Sequence, residues 1–262
     1  MHYYDEGSGR PVLFLHGSPT WSFYYRKLIP SLSKSHRCIA VDHLGLGLSD
    51  KPKRADYHPS AHAKRLEALV EKLDLKDITL VAHDFGGSIG LEWAAKNRAR
   101  VRDMVLMNTW CWSLRQNPVI RFVSHAASSK MNQYWLRLIN PSPKFYVPVL
   151  FADRHRLSPW IQDQYLHAFN NQFETYCPEA LARAMASRDG WFDSVAAEVQ
   201  HLQDKPCLLL WGDADMTYGK DALARMHRLL PNAAVHKLAG VGNYVAEEVP
   251  EEAVRHISAF IT

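Results

Sequence analysis

Residues 78–87, ITLVAHDFGG, place a carboxylate, Asp84, at the end of an apolar run and directly ahead of Phe85, Gly86 and Gly87. Ala82, His83, Asp84, Phe85 and Gly86 have the form small, any, X, any, small. That pattern permits a tight strand-to-helix turn, because small flanking residues let two backbones approach. A carboxylate presented at such a turn has a specific chemistry open to it: displacing a leaving group in line from an sp3 carbon. The product is an alkyl ester that water then attacks at the carbonyl, so one difficult cleavage becomes two easier steps. Asp is also a good helix N-cap, but capping requires neither the glycine pair nor a second motif upstream, HGSPTWSFYYR at 16–26, which follows the apolar run PVLFL.

The segments HGSPTWSFYYR, SHRCIAVDHLGLGLSDKP and LVAHDFGGSIGLEWA resemble corresponding segments of haloalkane dehalogenases and their close relatives, the olefin-biosynthesis β-lactone decarboxylases, with epoxide hydrolases further off. The wording of the first motif is closest to the decarboxylases. The resemblance covers about residues 1–110 and 205–262 and is weak between them. It implies an α/β-hydrolase fold in which Asp84 occupies the nucleophile elbow and the backbone NH groups of Ser18 and Phe85 stabilise developing negative charge. It also implies a histidine base on the loop after the last strand, oriented by an acid. The run MVLMNT ends in Asn108, which cannot orient an imidazole by charge, whereas LLLWGDADMTYG sets Asp215 three residues beyond Gly212, as the family's WGxxD pattern does. Asp213 is the near competitor.

The base itself is missing. Where the family's loop reads Gly-His-Tyr ahead of two acids, this chain reads AGVGNYVAEEVPEE, with Asn243 in the histidine's place between Gly242 and Tyr244. An amide has no basic nitrogen near neutral pH, so it can hydrogen-bond a water or Asp215 but cannot take a proton from water. The hydrolytic half-reaction is expected to fail or to be very slow. Other histidines do not fill the gap: His83 neighbours Asp84 but is expected to point away from it, His16 braces the HGxP turn, and His236 falls seven residues early. A base supplied from the cap instead, by His125, His155 or His167, is an alternative that the sequence leaves open. Two readings stand side by side. Asn243 replaces the histidine of an active hydrolase and traps its ester, or the chain is a relative that has abandoned hydrolysis and keeps the pocket for another reaction or for reversible ligand binding.

A departing halide needs donors, which the resemblance would supply from an indole NH next to the nucleophile and a second tryptophan or asparagine. Here Phe85 offers no NH and Ser18 only a short hydroxyl. Trp110 and Trp112, flanking Cys111, are the expected substrate-pocket residues, with Trp135, Trp160 and Trp191 further along. Opening an epoxide calls instead for tyrosine donors, and Tyr134, Tyr146, Tyr165 and Tyr176 are available without their spacing selecting any. The expectation is a haloalkane dehalogenase-like hydrolase acting on a small apolar organic substrate, with β-lactone decarboxylation, epoxide hydrolysis and non-catalytic binding as alternatives. No cofactor or metal is expected.

Positioning such a site requires a sheet. Short apolar runs at 11–17, 37–42, 78–84, 104–109 and 207–212 suit strands buried on both faces, and AVHKL at 234–238 is expected as the last strand. Helical spacing of Leu66, Leu69, Val70 and Leu73, and the Pro250-Glu-Glu start near the end, interleave helices with them. The pattern predicts an α/β-hydrolase fold with a mostly parallel sheet flanked by helices. The alternation breaks from 112 to 204, predicting a helical cap between two hydrolase-core parts at 1–111 and 205–262. A hydrophobic fraction of 47%, a charged fraction of 22% and a net charge of +4 describe a globular chain with no basic stripe for nucleic acid. No run reaches the ~18 apolar residues of a membrane span, and the opening MHYYDEGSGR lacks the form of a signal peptide, so a cytoplasmic location is expected. The cysteines Cys38, Cys111, Cys177 and Cys207 are scattered and expected to be reduced thiols. Oligomeric state is not set by any of these features.

Overall fold

The computed structural model describes residues 1–128, 142–169, 175–215, 217–218 and 221–262. The expected pocket and donor residues Trp135 and Tyr134 lie outside the described residues. Among the described residues one sheet holds seven strands: β1 (Tyr3–Glu6), β2 (Pro11–Leu15), β3 (Arg37–Val41), β4 (Ile78–Asp84), β5 (Val101–Thr109), β6 (Cys207–Gly212) and β7 (Ala234–Leu238). Their order is β1-β3-β2-β4-β5-β6-β7, with β1 antiparallel to β3 and every other pairing parallel.

The alternation of side chains along each strand builds two cores. Leu13, Leu15, Ile39, Leu80, Ala82, Leu106 and Leu209 face one layer, while Val12, Phe14, Cys38, Val81, Val105, Leu208 and Leu210 face the other. Helices α1 (Pro59–Lys72) and α2 (Phe85–Lys96) cover the first face through Leu66, Leu69, Ile89 and Trp93. Tyr24, Tyr25 and Leu28 cover the second. Each such side chain, fully removed from water, contributes on the order of 1.5–3 kcal/mol, which is why near-continuous apolar strands are required at the centre of a doubly covered sheet.

Two strand expectations are corrected. β1 was not foreseen, because YYDE is polar and half-exposed and becomes a strand only by pairing with the edge of β3. The third strand stops at Val41 rather than at Asp42, whose carboxylate instead accepts the backbone NH groups of Ser22 (2.7 Å) and Leu48 (3.0 Å) and so ties two loops together at the carboxyl end of the sheet. Between Thr109 and Cys207 the described residues contain no strand; they form α3 (Pro118–Ser128), α4 (Pro159–His167), α5 (Tyr176–Ala184) and α6 (Trp191–Glu198), with shorter turns. After β6 come α7 (Ala222–Leu229) and, after β7, α8 (Pro250–Phe260), whose Ala253 and Ile257 pack on the second core. No helix among the described residues is long and apolar enough to cross a membrane.

Candidate active site

The turn at the end of β4 is as tight as the residue pattern requires. Asp84 adopts φ 53° and ψ −131°, a backbone region costly for a residue with a side chain, on the order of 1–3 kcal/mol. The surroundings enforce it. A Cβ on Gly86 would overlap the carbonyl of Leu15, and one on Gly17 would overlap the Asp84 carboxylate itself. The hydroxyl of Thr109, at the end of β5, donates to the Asp84 carbonyl at 2.6 Å.

The two oxygens of Asp84 are held differently. Oδ1 accepts the backbone NH of Ser18 at 2.9 Å and that of Phe85 at 2.6 Å. Oδ2 accepts the hydroxyl of Tyr218. Burial, with only 5% of the residue exposed, pushes the Asp84 carboxyl up from its ordinary range; the neighbouring His83 and the three donors act in the opposite direction. The Ser18 loop is itself braced, as His16 Nδ1 donates to the Gly17 carbonyl at 2.6 Å and its Nε2 accepts the NH of His43 at 3.1 Å.

On the opposite side, the end of β5 and the loops after β6 and β7 meet. Asp215 Oδ2 accepts from the side-chain amides of Asn243 (3.1 Å) and Asn108 (2.9 Å), and Oδ1 accepts the NH of Thr217 at 2.8 Å. Asn108 also exchanges hydrogen bonds with the Gly212 backbone at 2.9 and 3.1 Å, so it ties the loop bearing Asp215 to the end of β5. Asn243 is 1% exposed, and its Oδ1 and backbone carbonyl both accept from His83 Nε2 at 3.0 Å. With two acceptors on Nε2, the single proton of neutral His83 sits there, and burial pushes the imidazole down and keeps it neutral. His83 stacks on Tyr24 at 4.5 Å between ring centroids.

The loop bearing Asn243 is pinned from several directions. Its NH donates to the Leu150 carbonyl at 3.0 Å, Gly242 NH to Glu248 at 3.0 Å, and Glu248 also accepts the NH groups of Ala152 and Asp153 at 3.1 and 3.2 Å. Glu247 accepts from Tyr165 at 2.6 Å and is paired with Arg26, the last residue of the HGSPTWSFYYR motif, with its second oxygen at 2.9 Å.

Of the residues singled out from sequence, Asp84, Ser18 and Phe85 converge on one carboxylate, and Asp215 meets Asn243. Asp213 lies apart and exposed, accepting the NH of Gly240 at 2.8 Å. Trp110 is fully buried beside the elbow, its ring 4.8 Å from Phe85 and stacked 4.4 Å from Tyr218, with Nε1 lacking a partner among the described residues. Trp112 instead lies under the Arg225 guanidinium at 4.5 Å. Trp160 is exposed, and Trp191 donates to Glu92 at 2.9 Å. His125, His155, His167 and His236 are exposed. Tyr165 is committed to Glu247, whereas the phenol of Tyr146 is pushed up by burial and then by the charges of Asp84 and Asp215. An open cleft of about 400 Å³ lies elsewhere, between residues such as Lys53, Tyr57, Tyr176 and Arg183; of the tyrosines considered as donors it includes Tyr176, and it includes neither Asp84 nor Asp215 nor Asn243. Sequence reasoning missed Tyr218. Its only signal was a tyrosine three residues past Asp215 in DADMTYG.

The alpha/beta hydrolase fold family model matches residues 10–250, and the chain belongs to that family. Within it, this is a haloalkane dehalogenase-like protein. It is 33% identical to a cis-3-alkyl-4-alkyloxetan-2-one decarboxylase of Shewanella oneidensis, over 100% of this chain and 85% of that protein. It is 31% identical to haloalkane dehalogenase 2 of Mycobacterium tuberculosis, over 96% of this chain and 87% of that one. A haloalkane dehalogenase structure from Agrobacterium tumefaciens superposes with a TM-score of 0.84 at 25% identity, covering 98% of this chain and 91% of that chain. One from Bradyrhizobium elkani shares the fold at a TM-score of 0.88 and 24% identity, covering 99% and 92%.

Proposed function

We propose that the protein uses Asp84 as a nucleophile toward carbon, forming a covalent alkyl ester, and that Asn243 occupies the place of the base that would hydrolyse it. The observation that carries this reading is the asymmetry of the Asp84 carboxylate. Oδ1 sits between two backbone NH groups, where negative charge on an ester carbonyl or a tetrahedral adduct would be stabilised. Among the described residues Oδ2 has a single donor, which leaves a lone pair for attack. Across the site, the Asn243 carboxamide reproduces the hydrogen bond that an imidazole would make to Asp215 but has no nitrogen able to accept a proton from water. General bases contribute about 10²–10⁴-fold, so the ester forms and then persists.

The substrate class is a small apolar electrophile with a carbon–halogen or strained carbon–oxygen bond. The aromatic cluster beside Asp84, in which Tyr218 reaches Oδ2 and Trp110 packs against both Tyr218 and Phe85, suits such a molecule. The helical stretch between β5 and β6 is assigned as the cap over this chamber, with Trp110 at its threshold. Intact-mass measurement after exposure to 1-bromobutane, a terminal epoxide or a dialkyl β-lactone is expected to show one stable adduct, mapped to Asp84 and absent from Asp84→Asn. Absence of an adduct from all three reagents overturns the reading, and a ligand bound equally by both forms supports a reversible receptor instead.

A further inference from the structure

The hydroxyl of Tyr218 is bonded to the oxygen of Asp84 that the proposed reaction alkylates, and the bond to carbon need not disturb it. A carboxylate oxygen carries two in-plane lone pairs. One of those on Oδ2 is taken by the phenol, and among the described residues the other meets no donor and is open for attack. After alkylation Oδ2 becomes the ester oxygen and keeps the lone pair that faces Tyr218. Breakdown of an aspartyl ester by attack at Cγ expels this same oxygen, as an alkoxide unless a proton reaches it while the bond breaks.

Resting on the reading of Asp84 as nucleophile, we propose that Tyr218 is the acid that protonates Oδ2 as the Cγ–Oδ2 bond of the Asp84 ester breaks. A nucleophile adds to Cγ, the electron pair moves to Oδ1 between the NH groups of Ser18 and Phe85, and the adduct collapses. The Cγ–Oδ2 pair leaves with Oδ2, which takes the Tyr218 proton to give the free alcohol. The phenolate then recovers a proton from the added nucleophile, so the tyrosine is unchanged overall. The surroundings suit a proton holder. Tyr218 is 7% exposed, its ring is fixed by stacking on Trp110 at 4.4 Å, and burial is the first cause that raises its phenol above the ordinary range, with the Asp84 charge adding to it only until the carboxylate is esterified. In this assignment Asn243 has removed the base half of ester breakdown and left an acid half in place.

Hydroxylamine tests this, because it needs no general base to attack an ester. The protein is alkylated with 1-bromobutane or with bromoacetonitrile, freed of reagent, and treated with hydroxylamine. Loss of the adduct and appearance of the Asp84 hydroxamate are followed by intact mass and peptide mapping. The butyl ester expels a strongly basic alkoxide, and the cyanomethyl ester a much weaker one, so only the first depends heavily on an acid. With Tyr218 present the two esters break down within roughly tenfold of each other; in Tyr218→Phe the butyl ester slows by ~10²-fold or more, the usual reach of general acid catalysis, and the cyanomethyl ester far less. Equal slowing of both esters, or slowing of neither, overturns the proposal. A Tyr218→Phe chain that no longer takes up either reagent also overturns it, making the tyrosine a holder of Asp84. If neither reagent marks Asp84 in the unaltered chain, the nucleophile reading itself falls.

Discussion

On the β4 side of the site, a strained aspartate is locked by close backbone contacts and two NH donors. On the β6–β7 side, Asp215 and Asn243 are held just as firmly, by Asn108, Thr217, His83, Leu150 and the Glu247–Arg26 pair. The two sides differ in chemical capacity rather than in order: one presents a group able to form a bond, the other an amide unable to move a proton. The Asn243 amide is nonetheless held at 3.1 Å from Asp215. On the proposed reading, the loop keeps the framework that would hold a base and differs from one carrying a base in a single side chain.

The largest test of that contrast is Asn243→His. If only the functional group is missing, hydrolysis of the Asp84 ester rises by about 10²–10⁴-fold and single-event labelling becomes turnover, measured as released alcohol per protein. No gain would mean that the loop differs from a working one in more than this residue. Next, Arg26→Ala leaves Glu247 buried with weaker compensation and is expected to cost about 2 kcal/mol in urea unfolding, with Asp84 labelling retained while the Asn243 loop loosens. A stability change near zero would show that the loop does not depend on this pair.

A smaller effect is expected from Phe85→Trp. An indole NH beside Asp84 adds a donor for a departing halide and is expected to speed labelling by bromobutane about tenfold, the equivalent of one net hydrogen bond, without speeding labelling by an epoxide. Similar acceleration of both would point to a general change in the elbow. The smallest effect concerns stability against pH. Burial raises the Asp84 carboxyl in the fold, so its contribution to stability is fully present below the unfolded carboxylate pKa of about 3.9 and is lost as pH rises through the higher folded value. Asp84→Asn is therefore expected to raise Tm by a few degrees at pH 7 and to give no gain near pH 3, a difference readable by calorimetry.

Sequence legibility divides along the same line. The central strands were readable because each is a short apolar run buried on both faces, and the elbow because small residues at 82 and 86 announce a close backbone approach. β1 was not, since YYDE has no apolar face and depends on the edge of β3. In the sequence Asn108 is legible only as a residue that cannot orient an imidazole by charge; its use as a brace for the Asp215 loop depends on the Gly212 backbone arriving beside it. The contact of Trp112 with the Arg225 guanidinium was equally illegible, since it joins residues more than a hundred positions apart.

The sequence by itself determined the local geometry around residue 84 and the chemical identity of residue 243, because backbone turns follow from neighbouring residue sizes and an amide is non-basic in any fold. Only the tertiary structure decided which oxygen of Asp84 is left with a hydroxyl donor and what the Asn243 amide touches. Those contacts join residues 134 and 160 positions apart in the chain, and no local pattern encodes a meeting that depends on how the loops at the ends of four strands converge.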